Sequence, residues 1–106
     1  MPMVKVSNGG TFPDGYTIVD VPHSGNTGAS GNVYNCQVGD YVIGNVYVGS
    51  SQTINDLTIQ NATILQYKYA TGNAGRIIGI IAITTSTTFK IVGAGYTIVG
   101  VLLRKS

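Results

Sequence analysis

The sequence predicts an all-β domain, and three observations carry that prediction. Charged residues are only 9% of the chain, with no Glu at all, so the Glu- and Lys-rich surface of a helical protein is missing. Ile, Val, Thr and Tyr take its place, and these side chains suit a pleated, half-buried surface. Turn signals built on Gly, Asn, Asp and Pro recur about every eight to twelve residues, the spacing of a small β domain. The expected architecture is one domain over residues 1–106, an antiparallel sandwich, jelly roll or small barrel of eight or nine short strands.

Taken in order, residues 3–7 form a short edge strand, followed by turns at Asn8-Gly9-Gly10 and Pro13-Asp14-Gly15. Residues 16–21 are a strand with Thr17, Val19 and Val21 on one face and Ile18 and Asp20 on the other. Residues 22–32 (PHSGNTGASGN) are polar and aperiodic, the longest loop in the chain, and loops of that length usually serve function or remain disordered. Strands are expected over 33–38 and 41–48 on either side of a tight Gly39-Asp40 turn, then over 53–59 and 62–69. The last of these places Leu65, Tyr67 and Tyr69 opposite Gln66 and Lys68. After the loop at 71–75, three apolar runs at 77–83, 89–92 and 96–103 complete the chain. They are too short to span a membrane and too rich in β-branched residues to prefer a helix. GYTIVDV at 15–21 echoes GYTIVGV at 95–101, which suggests two neighbouring strands in similar environments.

The strands at 41–48, 77–83 and 96–103 are apolar on both faces, whereas a sandwich strand with one face in water should alternate. A chain of this length has no helices to cover a second sheet face, and an exposed face would aggregate. The expectation is a homotrimer in which other copies cover it, with Ile78, Ile80, Ile98 and Leu102 at the interface and Arg104-Lys105 as a charged rim.

Charge is unevenly placed. Up to Asp56 there are four Asp and one Lys; beyond it there are five basic residues and no acid. The basic residues do not cluster, so nucleic acid is not an expected partner. One Cys excludes an intrachain disulfide. No apolar segment follows Met1-Pro2-Met3-Val4-Lys5, so no signal peptide or membrane insertion is expected, and synthesis in a cytoplasm fits.

No constellation for catalysis emerges. His23 and Cys36 are the only candidates for a nucleophile–base pair and share no motif. Cys36 reads as a small buried hydrophobe. Three of the four Asp sit in turn contexts, and no metal-ligand spacing occurs, so no enzyme activity, metal or cofactor is expected. Glycine-rich GNAGRIIG and GAGYTIVG lack the nucleotide-loop context. Recognition remains. Tyrosines set among Asn, Ser and Gly loops bind sugars or proteins through rigid rings and short hydrogen bonds. The candidate ligand-binding residues are Tyr67, Tyr69 and Asn73, with His23, Asn26 and Asn32 from the long loop.

The Gly/Thr/Asn/Tyr-rich, nearly uncharged composition and the apolar terminal strand GYTIVGVLLRKS resemble the C-terminal head domains of bacteriophage tail-fibre and receptor-binding proteins. VGDYVIGNVYV at 38–48 and that final strand are similar to strands of tumour-necrosis-factor-like trimeric jelly rolls. The resemblance implies a virion location and a homotrimer that binds a host-surface saccharide or protein without catalysis. Two alternatives are a structural virion protein, such as a capsid decoration protein, and a monomeric carbohydrate-binding β-sandwich.

Overall fold

A computed structural model describes residues 15–20, 33–72, 75–93, 96–97 and 99–105. Among these the chain forms nine strands: β1 (Tyr16–Asp20), β2 (Tyr34–Asn35), β3 (Tyr41–Val48), β4 (Thr58–Gln60), β5 (Ala62–Thr71), β6 (Arg76–Thr84), β7 (Thr88–Gly93), β8 (Tyr96–Thr97) and β9 (Val99–Lys105). They build two antiparallel sheets. One has the order β1-β9-β3-β6-β5; the other is β2-β7-β4, with β8 also paired to β7. The pairings nest: β1 with β9, β2 with β7, β3 with β6. Each pair encloses the next along the chain, as in one long hairpin wound around a core.

Alternation along the strands decides what enters that core. Val42, Val46 and Val48 of β3, Ile78, Ile80 and Ala82 of β6 and Leu102 of β9 pack with Phe89 and Ile91 of β7. Tyr34 stacks on Phe89 with ring centroids 5.6 Å apart. Each fully buried aliphatic or aromatic side chain contributes about 1.5–3 kcal/mol.

This packing corrects the interface expectation. Ile78, Ile80 and Leu102 are 0%, 3% and 1% exposed within a single chain, so no second copy can reach them. The reason is that the second sheet covers this face, as a sandwich allows even in a short chain. Ile98 lies outside the described residues. The opposite, outer face of the five-stranded sheet carries Ile43, Ile77, Ile81, Ile83, Val99 and Val101, all half-buried.

Several elements differ from expectation. The strand expected at 53–59 opens as a 3-10 helix, Ile54–Asp56. The Thr53 hydroxyl accepts from Asn55 N, and the Asp56 carboxylate accepts from Thr53 N at 2.8 Å. This reciprocal cap favours a helical turn over extension, and strand structure starts only at Thr58. The strand at 33–38 shrinks to Tyr34–Asn35. The run at 96–103 divides between sheets, β8 pairing β7 and β9 pairing β1 and β3. The strand of the first echo thus neighbours β9, but none of the described pairings joins echoed residue to echoed residue. Tyr16–Asp20 pairs with the residues from Leu102 to Lys105, beyond the echo itself. The edge strand expected at 3–7 and the loop at 22–32 fall outside the described residues.

Arg104 is not a free rim charge. Its Nε and Nη2 donate to Asp40 Oδ1 and Oδ2 at 3.0 and 2.8 Å. Asp40 is 2% exposed and also accepts from Gln37 N at 2.8 Å. Its backbone N donates to Thr84 Oγ1 at 2.9 Å. The cluster ties the turn before β3 to the ends of β6 and β9. Gly39 has φ +89, a left-handed value that favours glycine at this turn.

Candidate binding surface

Strand β5 closes one edge of the larger sheet, and from Leu65 to Thr71 every residue is exposed. A bulge between Ile64 and Gln66 shifts its register against β6. Beyond the bulge, Tyr67 pairs with Ile80 and Tyr69 with Ile78. Both tyrosines therefore sit on the same face as the core residues, but at the edge, past the cover of the smaller sheet. They are 47% and 38% exposed. Their rings lie 5.5 Å apart at an interplanar angle of 51°.

Tyr69 is held from three sides. Its hydroxyl accepts from Ile54 N at 3.1 Å, so the 3-10 turn docks on the ring. The Arg76 guanidinium stacks over it, 4.6 Å from the ring centroid, a contact worth about 0.5–1 kcal/mol where exposed. Arg76 Nη1 donates to Gln52 O at 2.8 Å. Gln52 in turn closes its own turn, its Oε1 accepting from Gly49 N at 2.7 Å. Tyr67 leans on this fixed ring and keeps its outer side in water. The arrangement is a rigid aromatic shelf beside a cation, suited to stacking under the C–H face of a sugar and to donating hydrogen bonds from Arg76.

Of the sequence-expected residues, the structure brings Tyr67 and Tyr69 together. Asn73, His23, Asn26 and Asn32 lie outside the described residues. Arg76 was missed. A short hairpin between β5 and β6 sets Thr71 against Arg76 and Tyr69 against Ile78, which leaves Arg76 diagonal to Tyr69. In the sequence, the loop expected at 71–75 was the one signal that placed β5 and β6 side by side, and it did not give their register.

Cys36 is buried, and its Sγ donates to Ser86 O at 3.2 Å. Burial pushes its thiol pKa up, against the opposing effect of the Thr84 hydroxyl. The thiol is therefore held in its unreactive form. Among the described residues, no group of three or more His, Cys, Asp or Glu side chains could hold a metal ion. No helix among them is long and apolar enough to cross a membrane. Comparison of the chain with protein-family models, curated proteins and solved structures finds no match.

Proposed function

We propose that this chain is a non-catalytic binding knob, a homotrimeric jelly roll of the virion fibre-head kind that recognises a saccharide on a host surface. The observation that carries the reading is the shelf formed by Tyr67, Tyr69 and Arg76. Tyr69 is fixed on the sheet edge by Ile54 N and by Arg76, itself held by Gln52 O, and the half-exposed Tyr67 ring packs against it. Rings held in place lose little entropy on binding, which is how a small aromatic surface gains affinity. The jelly-roll reading is supported by the nested pairing of β1–β9, β2–β7 and β3–β6 across two sheets. The trimer is supported by Ile83, Val99 and Val101, half-buried apolar residues on the outer face near β9, which replace the buried isoleucines as the seam.

The test joins a glycan-binding screen to one variant. Binding of a surface saccharide that Tyr67→Ala weakens at least tenfold is the expected result, a loss of about 1.4 kcal/mol or more. Binding indifferent to both Tyr67→Ala and Arg76→Gln would sink the shelf as the site.

The outer face favours a second reading, a structural virion protein whose partner is a capsid or tail lattice. Its apolar character suits protein contact. Absence of glycan binding together with cosedimentation with assembled particles would select it.

A further inference from the structure

Strand β6 is rich in isoleucine but carries a glycine at its centre. Gly79 lies on the outer face, in a cross-strand row with Asn45 of β3 and Lys68 of β5. The next row on that face is Ile43, Ile81 and Gln66. The missing side chain at Gly79 leaves a depression of about 490 Å³ lined by these six residues and neighbouring backbone. That volume lies within the range of small-ligand sites.

The space is open. A Cβ on Gly79 would meet nothing nearer than Asn45 Oδ1 at 3.4 Å and Lys68 O at 3.8 Å. Neighbouring strands stand about 4.8 Å apart, so Asn45 and Lys68 rise roughly 10 Å apart on either side of the gap. Asn45, Gln66 and Lys68 are exposed. Among the described residues, no hydrogen bond or ion pair engages their polar ends. The described carboxylates are elsewhere. Asp40 is buried against Arg104, Asp56 closes the Thr53 cap, and Asp20 is on β1, two strands from β3. Among the described residues, the depression thus offers one cation without a competing acid, two carboxamides with no hydrogen-bond partner and an aliphatic floor.

We propose that this depression is a subsite for a carboxylate-bearing pyranose. The Lys68 ammonium takes the carboxylate, the carboxamides of Asn45 and Gln66 take ring hydroxyls, and Ile43 and Ile81 lie under the C–H face. The proposal rests on the saccharide-binding reading and adds to it an acidic sugar at a second place, on the face of β5 opposite Tyr67. A neutral sugar would leave Lys68 without a role, which is why the acid is preferred.

The experiment is a titration of the assembled, isotopically labelled protein, followed by backbone amide resonances. The probes are sialyllactose and a glucuronate disaccharide, with lactose and acetate as controls. The expected result is shifts at Asn45, Gln66, Lys68 and Gly79 with an acidic sugar and none with lactose. Lys68→Gln should weaken binding about tenfold or more, as loss of a charge-assisted hydrogen bond does. Gly79→Val, which fills the gap, should abolish it while the remaining spectrum stays native. Equal shifts with lactose would overturn charge recognition, and equal shifts with acetate would overturn the sugar. Shifts confined to the Tyr67–Tyr69 region would overturn the subsite and leave the receptor reading standing. Silence here together with failure of the broad glycan screen would overturn both.

Discussion

Two glycines on the larger sheet make opposite predictions. Gly100 of β9 faces Gly44 of β3, and a Cβ there would run into Ile43 O and come within 2.6 Å of Gly44 Cα. These obstacles are backbone, so Gly100→Ala must push β9 away from β3 and should cost about 2–3 kcal/mol, in the manner of an overpacked core. Gly79→Ala meets only ordinary van der Waals contacts, Asn45 Oδ1 at 3.4 Å and Lys68 O at 3.8 Å, and should stabilise by about 0.5–1 kcal/mol, because glycine weakens a strand interior. Denaturant midpoints of the two variants test the contrast. If the depression binds a ligand, the stabilising change is also the one that impairs function. The Asp40–Arg104 fork makes a third prediction. Arg104→Met leaves a buried carboxylate with only Gln37 N, and should cost about 2–3 kcal/mol. That is less than for a fully buried pair, because a third of the Arg104 side chain is in water. Cys36 supplies a pH signature. Its pKa is raised in the folded chain, so the fold binds the thiol proton more tightly than the unfolded state does. The resulting stability is present below the ordinary thiol pKa, about 8.5, and is lost as pH rises through the raised value. Native protein should therefore react slowly with thiol reagents at about pH 8, below that ordinary pKa. Fast labelling without unfolding would contradict the burial.

At the scale of elements, β5 and the turn docked on it form the proposed binding unit. The shelf depends on the 3-10 turn keeping Ile54 N against Tyr69, and that turn depends on the Thr53–Asp56 cap. Thr53→Ala should lower stability by about 1 kcal/mol, the usual worth of such a cap. It should also weaken glycan binding without touching a ligand-facing atom. Affinity unchanged in Thr53→Ala would show that the shelf holds itself in place. Much of this unit was legible. The alternation of Leu65, Tyr67 and Tyr69 against Gln66 and Lys68 marked an amphipathic strand over 62–69; a strand is there, but both of its faces are exposed from Leu65 to Thr71 and Leu65 falls in a bulge. The bulge at Ile64/Gln66 was not legible, because an extra residue in a register depends on the partner strand. The capping box in TIND was present in the sequence. It was masked by β-branched neighbours that read as a strand.

At the scale of the molecule, the proposed trimer seam takes only the β9 side of the outer face, at Val99 and Val101, and leaves the β5 side, at Gln66, Lys68 and Gly79, in water. Light scattering on a size-exclusion column should return about 33 kDa, three times the chain mass of 11.1 kDa. Charged substitutions at Val99 and Val101 should dissociate that species. A mass near 11 kDa would remove the trimer and turn attention to a monomeric sugar-binding sandwich. The nested pairing also bears on folding. β1 and β9 join the two ends of the chain, so that contact closes the longest loop and should form late.

Fold class follows from local chemistry. Strand-forming side chains, turn residues and the scarcity of charge leave an antiparallel β domain as the consistent solution, because those preferences act within a few residues of one another. The same local signals mark most strands and the exposed tyrosines. Which face of each two-faced strand is the inside was settled only by the packing of the two sheets. Alternation names the two faces but is symmetric between them, and Ile78, Ile80 and Leu102 went inward only because β7 brings Phe89 and Ile91 against them. Packing also took Arg104 from the rim to the buried Asp40, and set Arg76 over Tyr69. Asp40 and Arg104 are far apart along the chain and meet only through the strand pairing, which no local pattern records.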